Sequence, residues 1–475
     1  MTIPVQEKTS ASPVFLRAAA KVAFVLILVV IEVSCGETYR PVAQVIPQPP
    51  PNPAAFHFVI SVSTNGAFDP GAASRIDVSG DSTVGVFQTG AAPAHAALIP
   101  NGTRLYVANS AEDTVTANNT PTPTVATTIS LPPPPQGAPS LPCPPNSSPG
   151  CVNFPVFVHT TENGNVYVAN YAGGTVSVIN TTSNVVTATV SVGTHPVVLA
   201  ELPNAQKLYV ANQGSGDVSV ISTVDDSVKP LSIPVGSSPV WAVARSDSAR
   251  VYVLDSSGVV YDIDTLSDTV KATGSTGGAG ANFMLYDSTS NSLLVTNSGS
   301  GTLSVLDAAA DPPSLRANSP ISIPAPAIAN PCQGAPVVPS AATILPDGRA
   351  YVASFQLSSG RVCTQSSVID TAAGAVTKTI PLAQAADLST QTGCASAGFR
   401  VFTASSGGGS TSNFKVYVSQ CDAGNVAVID TFPSGSNPQD TFNGVSLPAP
   451  LSSFPAPSGS QIPPPQNPVL VVAGP

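Results

Sequence analysis

Apolar residues along this chain fall into runs of strand length, not into helical stripes. The commonest run is five or six residues rich in Val, Ala, Leu and Tyr. A Gly/Ser/Asn/Asp turn follows, and then a second run such as VSVID. Clear copies are Leu105–Ala117 (LYVANSAEDTVTA), Val166–Asn180 (VYVANYAGGTVSVIN), Leu208–Ser222 (LYVANQGSGDVSVIS) and Leu293–Asp307 (LLVTNSGSGTLSVLD). Val251–Asp264 and Val416–Asp430 are close variants, Ala350–Asp370 carries a longer central turn, and His57–Gly80 is the most degraded copy. Each copy reads as a β-hairpin. Most are preceded by a further strand ending in a turn such as Pro100-Asn101-Gly102, and followed by a fourth, such as Val185–Val192.

The copies recur at a fixed interval. Tyr167, Tyr209, Tyr252 and Leu294 lie 42, 43 and 42 residues apart. Four antiparallel strands repeating at that period predict the blades of a β-propeller. Copies start near Phe58, Tyr106, Tyr167, Tyr209, Tyr252, Leu294, Tyr351 and Tyr417, which favours eight blades, with seven as the alternative. The first copy has no strand before it. The C-terminal Asn467–Ala473 resembles the missing strand, so the C-terminus is expected to complete the first blade and close the ring. The motif resembles the YVTN β-propeller repeat family of exported bacterial and archaeal surface proteins. That resemblance covers about residues 56–475 and implies an all-β, single-propeller fold. It is nearly silent about activity, because related propellers include lactonases, redox-enzyme subunits and surface-layer modules.

Composition adds an address. Only 9% of the 475 residues are charged, the net charge is −10, and no basic patch is interleaved with aromatics, so nucleic acid is not an expected partner. Lys8, Arg17 and Lys21 precede an apolar run, Val22–Ile31, that suits a signal h-region better than a membrane span. Ser34-Cys35-Gly36 follows and resembles a lipobox, although Glu32 stands where that pattern prefers an apolar residue. Residues 1–35 therefore read as a signal peptide with a lipidation candidate at Cys35. Residues 36–55 read as a Pro-rich linker, and 56–475 as the propeller. The expected location is the bacterial cell envelope, with the membrane reached through the lipid alone and the propeller monomeric.

Interruptions between copies point to a face. With strands labelled A to D from the axis outward, D–A and B–C connections share one face of a propeller. The inserts at 132–155, 325–338, 383–398 and 448–467 are D–A connections, and 355–364 is a B–C connection. Long loops on a rigid scaffold are the usual seat of binding. The cysteines sit in the same connections. Pairs Cys143–Cys151, Cys332–Cys363 and Cys394–Cys421 are favoured among fifteen connectivities.

Chemistry-bearing residues are sparse. His195 and Arg361 are placed on the expected binding face, and Arg245 and Arg400 are the other arginines near it. His95 reads as a packed core histidine. His57 and His159 have no acidic or Cys partner at metal spacing. Asp264, Asp307, Asp370 and Asp430 read as turn-capping residues, and the sequons at Asn101, Asn118, Asn146 and Asn180 matter only in a glycosylating host. No catalytic residue, metal site or cofactor is assigned. The favoured function is a non-catalytic scaffold binding a protein, peptide or glycan. The alternatives are a lactonase-like hydrolase and a structural envelope protein.

Overall fold

The computed structural model describes residues 58–64, 70–122, 124–139, 143, 150–161, 163–327, 330–382, 386–387, 403–407, 414–431, 440–442, 447–448 and 467–474. The signal segment, Cys35, the linker, His57, Cys394 and Arg400 lie outside them. The described chain is a single all-β propeller of four-stranded antiparallel blades. Among the described residues no helix is long and apolar enough to cross a membrane.

Sheets are numbered here by their hairpin copy. Sheet 2 holds Pro93–Leu98, Arg104–Asn109, Thr114–Asn119 and Thr124–Ser130, in that order from A to D. The A strands of the next sheets are Pro155–Thr160 (sheet 3), Pro196–Glu201 (4), Pro239–Ala244 (5), Ala281–Asp287 (6), Val338–Ile344 (7) and Thr403–Gly407 (8). Against the eight blades expected from sequence, seven are built from consecutive strands, sheets 2 to 8. The first copy makes no blade of its own, because no A strand precedes it. Its three strands, Phe58–Thr64, Pro70–Asp77 and Ser82–Ala91, share a composite sheet 1 with Asn467–Ala473. In that sheet Ile60 pairs with Val472 and Val62 with Leu470.

The burial pattern explains the repeat. B strands such as Lys207–Asn212 are buried at nearly every position. Both faces of a blade pack against its neighbours, so YVAN is a continuous apolar run and does not alternate. D strands such as Val185–Ser191 lie on the outer rim and are largely exposed, which fits their Thr and Ser content. In sheets 2 to 6 the A strand carries a bulge after its first residue, for example between Pro239 and Trp241.

Two side-chain devices recur. The Asn ending YVAN turns its amide onto the following C strand: Asn170 Nδ2 donates to Thr175 Oγ1 and Ser177 Oγ, both at 2.9 Å. Asn297 does the same to Thr302 and Ser304. Gly278, in the preceding D–A turn, lies directly over that second amide. A Cβ there would sit 2.5 Å from Asn297 Cγ, so only glycine fits.

The second device joins neighbouring sheets. In sheets 2, 3, 4, 5, 7 and 8 the buried Tyr of the B strand reaches the C–D turn of the next sheet. Tyr106 donates to Asn184, Tyr167 to Asp226, Tyr209 to Asp268 and Tyr417 to Asp81. The accepting residue holds a left-handed backbone, with φ between 48° and 56° in these four, which Asn and Asp tolerate best. A cation two residues before the Tyr often joins in: Lys207 Nζ bonds Asp268, and Lys415 Nζ bonds Asp81. Sheet 6 has Leu294 in place of the Tyr, and the matching position in sheet 7 is Gly374, so both halves of the pair are missing together.

Candidate binding face and an inner-strand His–Glu pair

Antiparallel order puts D–A and B–C connections at one end of every sheet. The structure shows these connections clasping each other. Asp113, in the B–C turn of sheet 2, accepts N–H bonds from Val152 (2.7 Å), Asn153 (3.1 Å) and Phe154 (2.8 Å), where the insert after sheet 2 returns to the ring. Two disulfides reinforce this end. Cys143 joins Cys151, and Cys332 joins Cys363, each with Cα atoms 6.1 Å apart. Cys421 is also disulfide-bonded, to a partner outside the described residues. Non-reducing peptide mapping is expected to recover it joined to Cys394; a Cys35–Cys421 peptide would reject that pairing.

Residues 355–364 differ from the loop that the sequence suggests. Arg349–Ser358 and Arg361–Asp370 pair without a break out to Ser358 and Arg361, around the two-residue turn Ser359-Gly360. Both turn residues have positive φ, 49° and 75°, the geometry that matches strand twist in a tight hairpin. Arg361 is therefore exposed near a hairpin tip on sheet 7. His195 lies where the chain joins sheet 4, three sheets away, so the two candidates are not brought together. Arg245 follows the A strand of sheet 5 and belongs to the opposite face, where it pairs with Asp247 at 2.8 Å.

His195 is half-buried, not a freely solvated loop side chain. Its ring stacks on Tyr171, with centroids 4.1 Å apart and planes 1° from parallel. Phe154 meets Tyr171 edge-on at 6.4 Å. All three are half-buried. Burial lowers the His195 pKa and raises that of Tyr171, so the stack is neutral near pH 7. Phe154 and His195 directly precede A strands, and Tyr171 opens a B–C turn. The trio thus sits at the axial edge of the elaborated face. Just inside lies an aromatic arc on the A strands. His95 stacks on Phe157 at 3.9 Å, Phe157 meets Trp241 edge-on, and Trp241 contacts Phe283 at 4.8 Å. His95 is half-buried and not the core residue its sequence position suggests, and its Nδ1 accepts from Val158 N at 3.3 Å.

His159 corrects the sequence reading. It has an acidic partner: Nε2 lies 3.0 Å from Glu201 Oε2, on the next A strand. The Glu201 side chain is 10% exposed and that of His159 31%. Glu201 Oε1 is buried with no protein donor. The equivalent positions one interface further on hold Ala200 and Ala244, so this polar pair interrupts an apolar seam. Among the described residues no group of three or more His, Cys, Asp or Glu is placed to hold a metal ion.

The geometry defines the protein as a β-propeller with an aromatic patch at one axial edge. No family model matches the chain, and no curated protein matches it. Among solved structures, the chain is similar to a candidate 6-phosphogluconolactonase from Bacteroides fragilis NCTC 9343. That likeness has 14% identity and a TM-score of 0.49, over 71% of this chain and 98% of that one. It is also similar to hydrazine synthase from Kuenenia stuttgartiensis, with 17% identity and a TM-score of 0.41, over 56% and 73% of the two chains. A functionally unknown protein from Desulfotomaculum acetoxidans DSM 771 matches at 16% identity and a TM-score of 0.40, over 55% and 84%. At these values the likenesses carry no argument about activity.

Proposed function

We propose that this protein is an exported, envelope-anchored binding scaffold of the YVTN-repeat type, which recognises a protein, peptide or glycan through its elaborated face. The observation that carries this reading is the Phe154–Tyr171–His195 patch. Half-exposed aromatics, neutral and held in place by neighbouring turns, give contact area at little ordering cost. The Cys143–Cys151 disulfide and the Asp113 clamp fix the insert that leads into it. The reading includes a ring of eight blades, with the composite sheet as the eighth. Its support is that Asn467–Ala473 packs beside the A strands of both sheet 2 and sheet 8. The binding reading is tested by crosslinking in intact envelope and co-purification. A reproducible partner, lost when Tyr171→Ser and His195→Ser are combined at unchanged melting temperature, is the expected outcome. A partner retained by that variant would exclude this patch.

A hydrolytic reading has one observation in its favour, the His159–Glu201 pair. A carboxylate with one oxygen on an imidazole could hold that ring as a general base. Screening the protein against lactones and esters decides it. Turnover that is lost in Glu201→Gln, with stability kept, would support this reading; no turnover in the wild type would end it.

A further inference from the structure

We infer that the face opposite the aromatic patch docks on a lipid bilayer through aliphatic side chains at its rim. The inference rests on the exported, anchored reading and adds an orientation to it.

Two independent observations meet on this face. The first is where the chain enters. Phe58 begins the B strand of sheet 1, and B strands start at the A–B end. Gly474, just past the C-terminal strand, donates its N–H to Phe58 O at 2.7 Å, closing the position of an A–B turn. The described chain therefore enters sheet 1 at the A–B end, on the plain face. The second is an apolar crescent on sheets 3, 4 and 5. Leu266 is 93% exposed and Val224 82% exposed, each at the second position of a C–D turn. Leu231 is 84% exposed on the outer edge of sheet 4, and Val185, which begins the D strand of sheet 3, is 56% exposed. The equivalent turn positions elsewhere hold Thr182, Ala309 and Ala372. Large aliphatic tips projecting from consecutive blades suit insertion among acyl chains.

The chemistry favours lipid over a charged partner. The cations beside the crescent are already engaged: Lys207 and Lys229 pair with Asp268, and Lys271 pairs with Asp311. What projects freely is hydrocarbon. The 22 residues between Cys35 and Phe58 are long enough to let the propeller tumble, about 3 Å each when extended. An anchor alone would thus leave the tilt of the propeller open, and the crescent fixes it with the entry face toward the bilayer. The aromatic patch then points away from the membrane.

The test uses the full chain in vesicles of phosphatidylethanolamine and phosphatidylglycerol. A polarity-sensitive fluorophore is attached at Leu266→Cys, or at Val152→Cys on the elaborated face. Lipids carrying a quencher in the acyl chain should quench the Leu266 probe several-fold more than the Val152 probe. Val224→Ser with Leu231→Ser should remove most of that difference at unchanged melting temperature. Equal quenching of the two probes, failure to associate with vesicles, or a difference untouched by the serine variants would overturn the docking. So would shielding of the Leu266 probe that tracks protein density and not lipid quencher, since that marks a second copy as the occupant. The mass of Cys35 is read separately and reports the anchor, so failure of the anchor and failure of the docking face are distinguishable.

Discussion

Deleting residues 466–475 is expected to remove the cooperative folded state, not to trim a loose end. The deleted strand buries Val469, Leu470 and Val471. Three such side chains are worth roughly 5–9 kcal/mol at about 1.5–3 each. The stability of a whole domain is about 5–15 kcal/mol. The deletion also strips the ladder from Phe58–Thr64, leaving a fully buried strand as an open edge. The same junction is tied at its other side, where Lys415 and Tyr417 of sheet 8 both bond Asp81 of sheet 1. Urea and thermal unfolding should show loss of the main transition, or a fall in midpoint of tens of degrees. An unchanged midpoint would mean that the composite sheet does not close the ring.

Much of this scaffold was legible in the sequence because the repeat writes each structural rule several times. The hairpins, the four-strand unit and the D–A positions of the inserts follow from turn residues and period. Three features were not legible, each for the same physical reason: their partners lie one sheet apart. His159 and Glu201 are separated by 42 residues, one full repeat, so a search at ligand spacing passes over them. The stack of His195 on Tyr171 joins the start of sheet 4 to a turn of sheet 3. The tyrosine pairs need Tyr in one copy and Asp or Asn in the C–D turn of the next, often with Lys or Arg two residues before the Tyr, as in Lys207-Leu208-Tyr209 with Asp268. Aligning each copy against its successor, instead of against itself, would have exposed that signal. The hairpin at 355–364 was missed differently. Its Ser359-Gly360 turn signal was present, but the departure from the common copy length read as a loop.

Asp268→Ala should be among the most costly single substitutions, about 3–5 kcal/mol. The carboxylate is 6% exposed, and it accepts from Tyr209 Oη and from Lys207 Nζ at 2.9 Å while pairing with Lys229. Removing it takes the acceptor from a buried phenol and the counter-charge from Lys207, and puts Ala at φ 53°, a strained backbone for that residue. Asp268→Asn should cost less, about 1–2 kcal/mol, because Asn keeps an acceptor and tolerates that backbone. The protein uses this very arrangement where Tyr106 and Arg104 meet Asn184. Tyr209→Phe should cost about 1 kcal/mol, and the double variant should cost less than the sum, since both remove the same bond. Additive costs would show that the contact contributes nothing. The pH dependence has a definite sign. Burial opposes the Asp268 charge, but bonds from Lys229, Tyr209 and Lys207 outweigh it, so this carboxyl titrates below its usual value. Its contribution is therefore complete above the unfolded value of about 3.9 and is lost as pH falls through the lower folded value. The gap between wild type and Asp268→Asn should be constant from neutral pH to about pH 5 and shrink below about pH 4. Tyr209 shifts the opposite way, raised first by burial and then by its bond to Asp268. Its contribution is complete below the unfolded phenol value of about 10 and is lost as pH rises toward the higher folded value. The buried tyrosines at Tyr106, Tyr167, Tyr252, Tyr351 and Tyr417 are raised by burial as well, so their effects accumulate at alkaline pH. Unfolding above about pH 10 should accordingly be steep. In Tyr209→Phe it should be less steep by one proton, a difference read directly from the slope of stability against pH.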